Sequence, residues 1–243
     1  TVSCSFIYDG SPPTINQITS PMADGTYTDY DGNTALSDTV TITVSFTESV
    51  TITGTPRVVL NTTPVTYANY HEGTGTATIT FSATVAQEIL QLALDVTALE
   101  LNGGTITDLA TNTASLTLAY VTSNSKNLDD LKNIKLDSKN PVLSNFAVTE
   151  NNNLAPVATT SVKDGDQVTY GFQSDKELLL SSLTVTFTGF TPTLTTVTNG
   201  IGPFDYEISF TVSNTFPEGA VALQFSATDK VTTTLVPIGN PTG

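Results

Sequence analysis

Acidic side chains recur at short spacings in this sequence, and oxygen-based cation chemistry is the first reading they invite. Asp29-Tyr-Asp31-Gly-Asn33 places three oxygen-bearing side chains at alternate positions, the spacing by which a tight loop wraps a hard cation such as Ca2+. It opens like an EF-hand loop but lacks that loop's later Gly and its closing bidentate Glu. The same residues also build ordinary Asp-Gly turns. Further carboxylate pairs stand at Asp129/Asp130, Asp164/Asp166 and Asp175/Glu177, again with the composition of turns. Glycoside hydrolysis needs two carboxyls about 5–10 Å apart across a cleft, and no insertion here reads as cleft-forming. His71 is the sole histidine, with no Ser or Cys setting around it that reads as a nucleophile motif. The expectation is a chain without catalytic residues. Tyr27, Tyr30, Tyr67 and Tyr70 are the rings on which a sugar could stack, although aromatics alternating along a strand more often pack in a core or across strands.

Strands must position these groups. In Asp38–Phe46, Val40, Ile42, Val44 and Phe46 alternate strictly with Thr and Ser, which puts the apolar set on one sheet face and the hydroxyls on the other. The opening of that stretch returns 128 positions on, Asp38 against Asp166, with Val168, Tyr170 and Phe172 in the places of Val40, Ile42 and Val44. Phe6–Pro13 and Ile134–Pro141 share the same offset, which argues for a tandem repeat. Alternation predicts strands at 14–19, 39–46, 65–70, 76–85, 90–96, 116–120 and 133–136, with Ala23–Asn33 a loop and His71–Gly75 a hairpin turn. In the second half strands are expected near 142–149, 167–173, 183–188, 194–198, 205–213 and 220–228. No segment shows a helical period, so the chain is read as all-β. Short strands with turn signals every 8–12 residues predict two tandem immunoglobulin-like β-sandwiches joined by a short Pro-containing linker.

Composition narrows the function. With 8 basic and 23 acidic residues the formal charge is −15, and nucleic acid is excluded as a partner because phosphates are neutralised by Lys and Arg. Residues 1–122 carry eleven acids against Arg57 alone, whereas 123–140 carry three Asp against four Lys. No run approaches the roughly 20 apolar residues of a membrane helix. The single cysteine, Cys4, leaves no intrachain disulfide, so packing or metal must stabilise the fold. The chain opens inside a strand, which points to a piece of a longer protein.

The residues 13–137 resemble the bacterial immunoglobulin-like (Big-type) repeats of large cell-surface adhesins and fibre proteins. The likeness lies in Ala23–Tyr27, Asp38–Glu48, Val50–Pro56, Asp95–Asp108 and the joint Asp137–Pro141, in the family's order. Residues 138–243 are similar to a more divergent member, with Asp164–Asp166 and Ser226–Asp229 as anchors, and 1–12 read as the terminal strand and linker of a preceding repeat. Repeats of this kind end in an Asp-x-Ala-Gly-Asn turn; Asp108–Asn112 has Thr for Gly, and Asp229–Thr233 has lost both Gly and Asn. The resemblance implies Ca2+ where repeats abut, with Asp108, Asp137 and the equivalent Asp9 as ligands, although Lys135 and Lys139 flank Asp137 and oppose a cation. It further implies an extracellular, cell-surface or secreted location, and as partner a host or prey cell-surface protein or glycan, or neighbouring repeats of one fibre. The alternative is a carbohydrate-binding or spacer module of a secreted enzyme.

Overall fold

The structure is a computed structural model, and it describes residues 8–28, 38–150, 153–155, 162–187, 194–199, 205–215, 223–227 and 229. The fold is mostly β, with few helices and sheets that are antiparallel except for one pairing, and the chain divides into two compact units, Thr1–Lys139 and Asn140–Gly243.

The first unit is organised around one long strand. Its elements are β1 (Ile15–Thr19), β2 (Gly25–Tyr27), β3 (Thr39–Thr53), β4 (Arg57–Leu60), β5 (Tyr67–Glu72), β6 (Thr76–Thr84), β7 (Leu90–Gln91), β8 (Val96–Glu100), β9 (Thr105–Thr107) and β10 (Ile134–Asp137). The larger sheet runs β1-β3-β6-β5-β4-β8, with β9 on the far end of β3, and the smaller one β2-β10-β7. Alternation places Val40, Ile42 and Val44 at 1% exposure or less, against Ile79 and Phe81 of β6 and Ile134 and Leu136 of β10 in one core. The opposite face is hydroxyl-rich: Gln17 and Thr19 of β1, the Thr39–Ser45 positions of β3 and the Thr78–Thr84 positions of β6 all point outward, with Thr43 paired to Thr19 on one side and Thr80 on the other.

Several local expectations are corrected. The strand expected to stop at Phe46 runs on to Thr53, because its register with β6 breaks between Ser45 and Val50 and it then pairs with β9, Ile52 opposite Ile106. An extra-residue bulge of this kind disrupts the alternation, so the sequence reads as a strand end. His71 lies inside β5, and the turn is confined to 73–75. Gly73 is required there: it has φ +109°, and a Cβ would come within 2.8 Å of the Ile79 Cα. Of the 90–96 stretch only its ends are strand, so Leu94 and Val96 are buried but Leu92 is 66% exposed. The expected 116–120 strand is replaced by helix α1 (Ala119–Ser123), and α2 (Leu128–Leu131) follows. Each spans little more than one turn, too short to display a 3.6-residue period; Val121 and Leu128 anchor them in the core. The loop expected at 23–33 contributes β2, which pairs in parallel with β10.

The second unit comprises β11 (Leu143–Glu150), β12 (Asn153–Ala155), β13 (Gln167–Ser174), β14 (Thr184–Phe187), β15 (Leu194–Asn199), β16 (Asp205–Thr211) and β17 (Leu223–Ser226), in sheets β12-β11-β13-β16-β15 and β14-β17. Val168, Phe172, Tyr206, Ile208 and Phe210 are buried as their alternation predicts, with Phe172 stacked on Tyr206 at 5.6 Å. Among the described residues no helix is long and apolar enough to cross a membrane.

The two central strands begin in the same way. Asp38 donates its N–H to the Thr28 carbonyl, accepts the Thr28 N–H on Oδ2 at 2.8 Å, and offers its own carbonyl to Val85 N–H. Asp166 repeats each bond with Lys163 and Val212 in those roles. β13 lies between β11 and β16 as β3 lies between β1 and β6.

Phe81 is fully buried in the middle of the larger sheet, so Phe81→Ala is expected to cost about 3–5 kcal/mol in urea unfolding. Leu109→Ala, at a 95% exposed position, should stay within about 0.5 kcal/mol.

Candidate functional site

Three carboxylates meet at one end of the first unit. One oxygen each of Asp9, Glu48 and Asp108 lie within 4.8 Å of one another, and this is the one such group of three potential metal ligands among the described residues. Each comes from a separate local device. Glu48 sits in the β3 bulge, where the strand changes partners. The segment before β1 is fastened to that bulge by reciprocal bonds between Thr14 and Thr47. Asp108 is buried and folds the 108–112 loop around itself: Oδ1 accepts the Asn112 N–H and Oδ2 its side-chain amide, both at 2.8 Å. Asn112 Nδ2 also reaches the Asp9 carbonyl at 3.2 Å, tying the loop to the approaching chain. Thr111 takes φ +70° to close the turn, a conformation that ordinarily favours Gly. Partial burial and then the charges of Asp9 and Asp108 push the Glu48 carboxyl above its ordinary value of 4.5.

The second unit handles the corresponding place differently. At the 128-residue offset Glu48 corresponds to Lys176, and by likeness of motif Asp229, 121 positions on, stands in the place of Asp108. Lys176 Nζ lies 3.2 Å from Asp229 Oδ2, with the lysine side chain 13% exposed and the aspartate 1%. An ammonium group therefore faces the buried aspartate in the second unit, at the position where the first unit has a carboxylate.

Of the residues singled out from sequence, Asp9 and Asp108 are thus brought together, with Glu48 as the unanticipated third member. The signal for Glu48 was its place outside the alternation and its reversal to Lys176. Asp137 stands apart on β10, paired with Leu90, and its Oδ1 accepts the Lys139 N–H. Asp29, Tyr30, Asp31 and Asn33 lie outside the described residues. Tyr27 is half-buried with its hydroxyl on the Ala23 carbonyl. Tyr70 packs edge-on against Phe81, and its hydroxyl oxygen accepts the Thr74 N–H. Tyr67 is 39% exposed, yet the Arg57 guanidinium lies 3.8 Å over its ring and is held there by Glu100. That stack leaves one ring face to any planar ligand. The Asp164 and Asp175 carboxylates accept loop N–H groups, as turn residues do.

A second acidic contact pins α2. Asp95 accepts Asn127 Nδ2 at 2.7 Å and the Asp129 N–H at 3.4 Å. Burial, reinforced by the Asp129 charge, raises its carboxyl above 3.8. No protein family and no curated protein matches the chain.

Glu48 and Asp95 hold protons more tightly folded than unfolded, so each contributes stability at acid pH that is lost as pH rises through its raised value. Thermal unfolding followed from neutral to mildly acidic pH should show this gain, and Glu48→Gln and Asp95→Asn should each flatten the profile. Lys176→Met strands the buried Asp229 and is expected to cost about 3–5 kcal/mol by denaturant titration.

Proposed function

We propose that the chain is a non-enzymatic section of a bacterial surface adhesin or fibre, two immunoglobulin-like repeats that hold a binding face for a cell-surface protein or glycan away from the cell. The observation that supports this reading is the repeated start of the central strand. Asp38 and Asp166 make the same three hydrogen bonds 128 positions apart, at the head of strands with the same order of neighbours. A unit copied with its register intact suits a rod built by addition, since each copy buries its own core and adds length.

Cation binding completes the proposal. Asp9, Glu48 and Asp108 supply hard carboxylate oxygens of the kind Ca2+ takes. Bound there, the ion would neutralise the mutual repulsion of the three groups and fasten the chain preceding β1 to the bulge and the 108–112 loop. The second unit, with Lys176 facing Asp229, needs no such ion.

Calorimetry of the chain with Ca2+ and with chelator tests the cation directly. Ion at one hundred times its dissociation constant adds about 2.7 kcal/mol to the stability of the unit that binds it, so the first unit's transition should rise and the second's should not. Glu48→Gln and Asp108→Asn should abolish the rise. Identical transitions with and without Ca2+ would exclude the ion, and failure of the labelled chain to bind any intact cell or glycan panel would confine the section to a spacer.

A further inference from the structure

The outward face of β5, β4 and β8 carries Arg57, the sole arginine of the chain. Register sets two rows across these strands, Tyr67, Val59 and Ala98 in one and Asn69, Arg57 and Glu100 in the next. The alternate residues Ala68, Val58 and Leu99 are buried, so both rows face out. The Arg57 guanidinium is held twice: its Nε donates to Glu100 Oε2 at 2.8 Å, and the Tyr67 ring lies 3.8 Å from it. A solvent-facing ion pair of this kind stabilises a fold little. Its effect here is to fix the guanidinium before any ligand arrives. Both terminal amino groups of Arg57, Glu100 Oε1 and the Asn69 side-chain amide have no hydrogen-bond partner among the described residues.

We propose that these two rows bind a neutral saccharide. Whatever covers them must satisfy donors and acceptors together, because burying such groups unpaired is costly. An apolar or aromatic ligand could use the open face of Tyr67, which is 39% exposed, but it would strand the polar row. An extended peptide pairs along the edge of a sheet, not across its face. A vicinal diol meets both demands. One hydroxyl accepts from an Arg57 amino group and the next donates to Glu100 Oε1, while the C–H face of the sugar lies on Tyr67 and Val59. Charge selects against acidic sugars: Glu100 offsets Arg57, and the chain as a whole carries −15. Because Tyr67 and Glu100 already hold Arg57, little side-chain freedom is lost on binding. The inference rests on the reading of the chain as the carrier of a glycan-binding face, and it assigns that face to the first unit.

Saturation-transfer NMR of the full chain with the methyl glycosides of glucose, galactose and mannose, and with methyl glucuronide as an acidic counterpart, tests it. At least one neutral glycoside should bind saturably, and methyl glucuronide should not. Arg57→Lys, which keeps the charge but loses the paired amino groups, and separately Tyr67→Ala should each weaken binding by at least about tenfold. Gln87→Ala, on an exposed loop outside these strands, should leave it unchanged, and melting curves confirm that each variant is folded. Binding of none of the three neutral glycosides, binding of methyl glucuronide alone, or neutral binding indifferent to both face substitutions overturns the assignment. Adhesion of the labelled chain to intact cells, measured in parallel, separates the site from the reading beneath it. Cells bound equally by the wild-type chain and by Arg57→Lys overturn the site and leave the adhesin; glycosides bound through Arg57 by a chain that binds no cell do the reverse.

Discussion

The start of β3 is set by three hydrogen bonds at one residue, two from its backbone and one from its side-chain carboxylate. Asp38 holds Thr28 through two bonds and receives Val85 through a third, so the start of β3 is set against both the strand before it and the end of the strand beside it. Register matters here because the side-chain period is two: a slip of one residue would turn Val40, Ile42 and Val44 to solvent and bury the threonines. Asp166 imposes the same condition on β13. The core, the hydroxyl face and the position of the bulge are all measured from these two residues.

The same corner of the fold then meets two electrostatic conditions. In the first unit the bulge and the 108–112 loop crowd three carboxylates, and Glu48 responds by holding its proton more tightly. In the second, Lys176 sits against a fully enclosed Asp229. Enclosing an ion pair is costly in desolvation and is offset only by close contact, which the 3.2 Å separation provides.

What the sequence disclosed follows from how local its encoding is. Val40 to Phe46 and Tyr206 to Val212 were readable because a period of two needs only neighbours along the chain. α1 and α2 were not, since one turn of helix has no period to detect, and its anchors Val121 and Leu128 are single residues. Leu92 lies exposed for a related reason: its alternation with Leu94 is genuine, but the chain leaves the smaller sheet after Gln91 and enters the larger one only at Val96. The carboxylate group was half legible. Asp9 and Asp108 came from a likeness of motifs, whereas Glu48 joins them only because a bulge 39 positions from Asp9 turns it that way, a relation no local pattern states. Tyr67 was legible as a ring but not as a covered one, because Arg57 reaches it from the neighbouring strand.

The parallel pairing of β2 with β10 carries one more consequence. The three register pairs from Ile134 opposite Gly25 to Leu136 opposite Tyr27 join a segment near the beginning of the first unit to its last strand. A pull applied along β10 would load those bonds sideways and together, in shear, and would not peel them one after another. A strand loaded in shear yields only when the whole set gives way, so a pull applied along β10 would be shared by all three pairs.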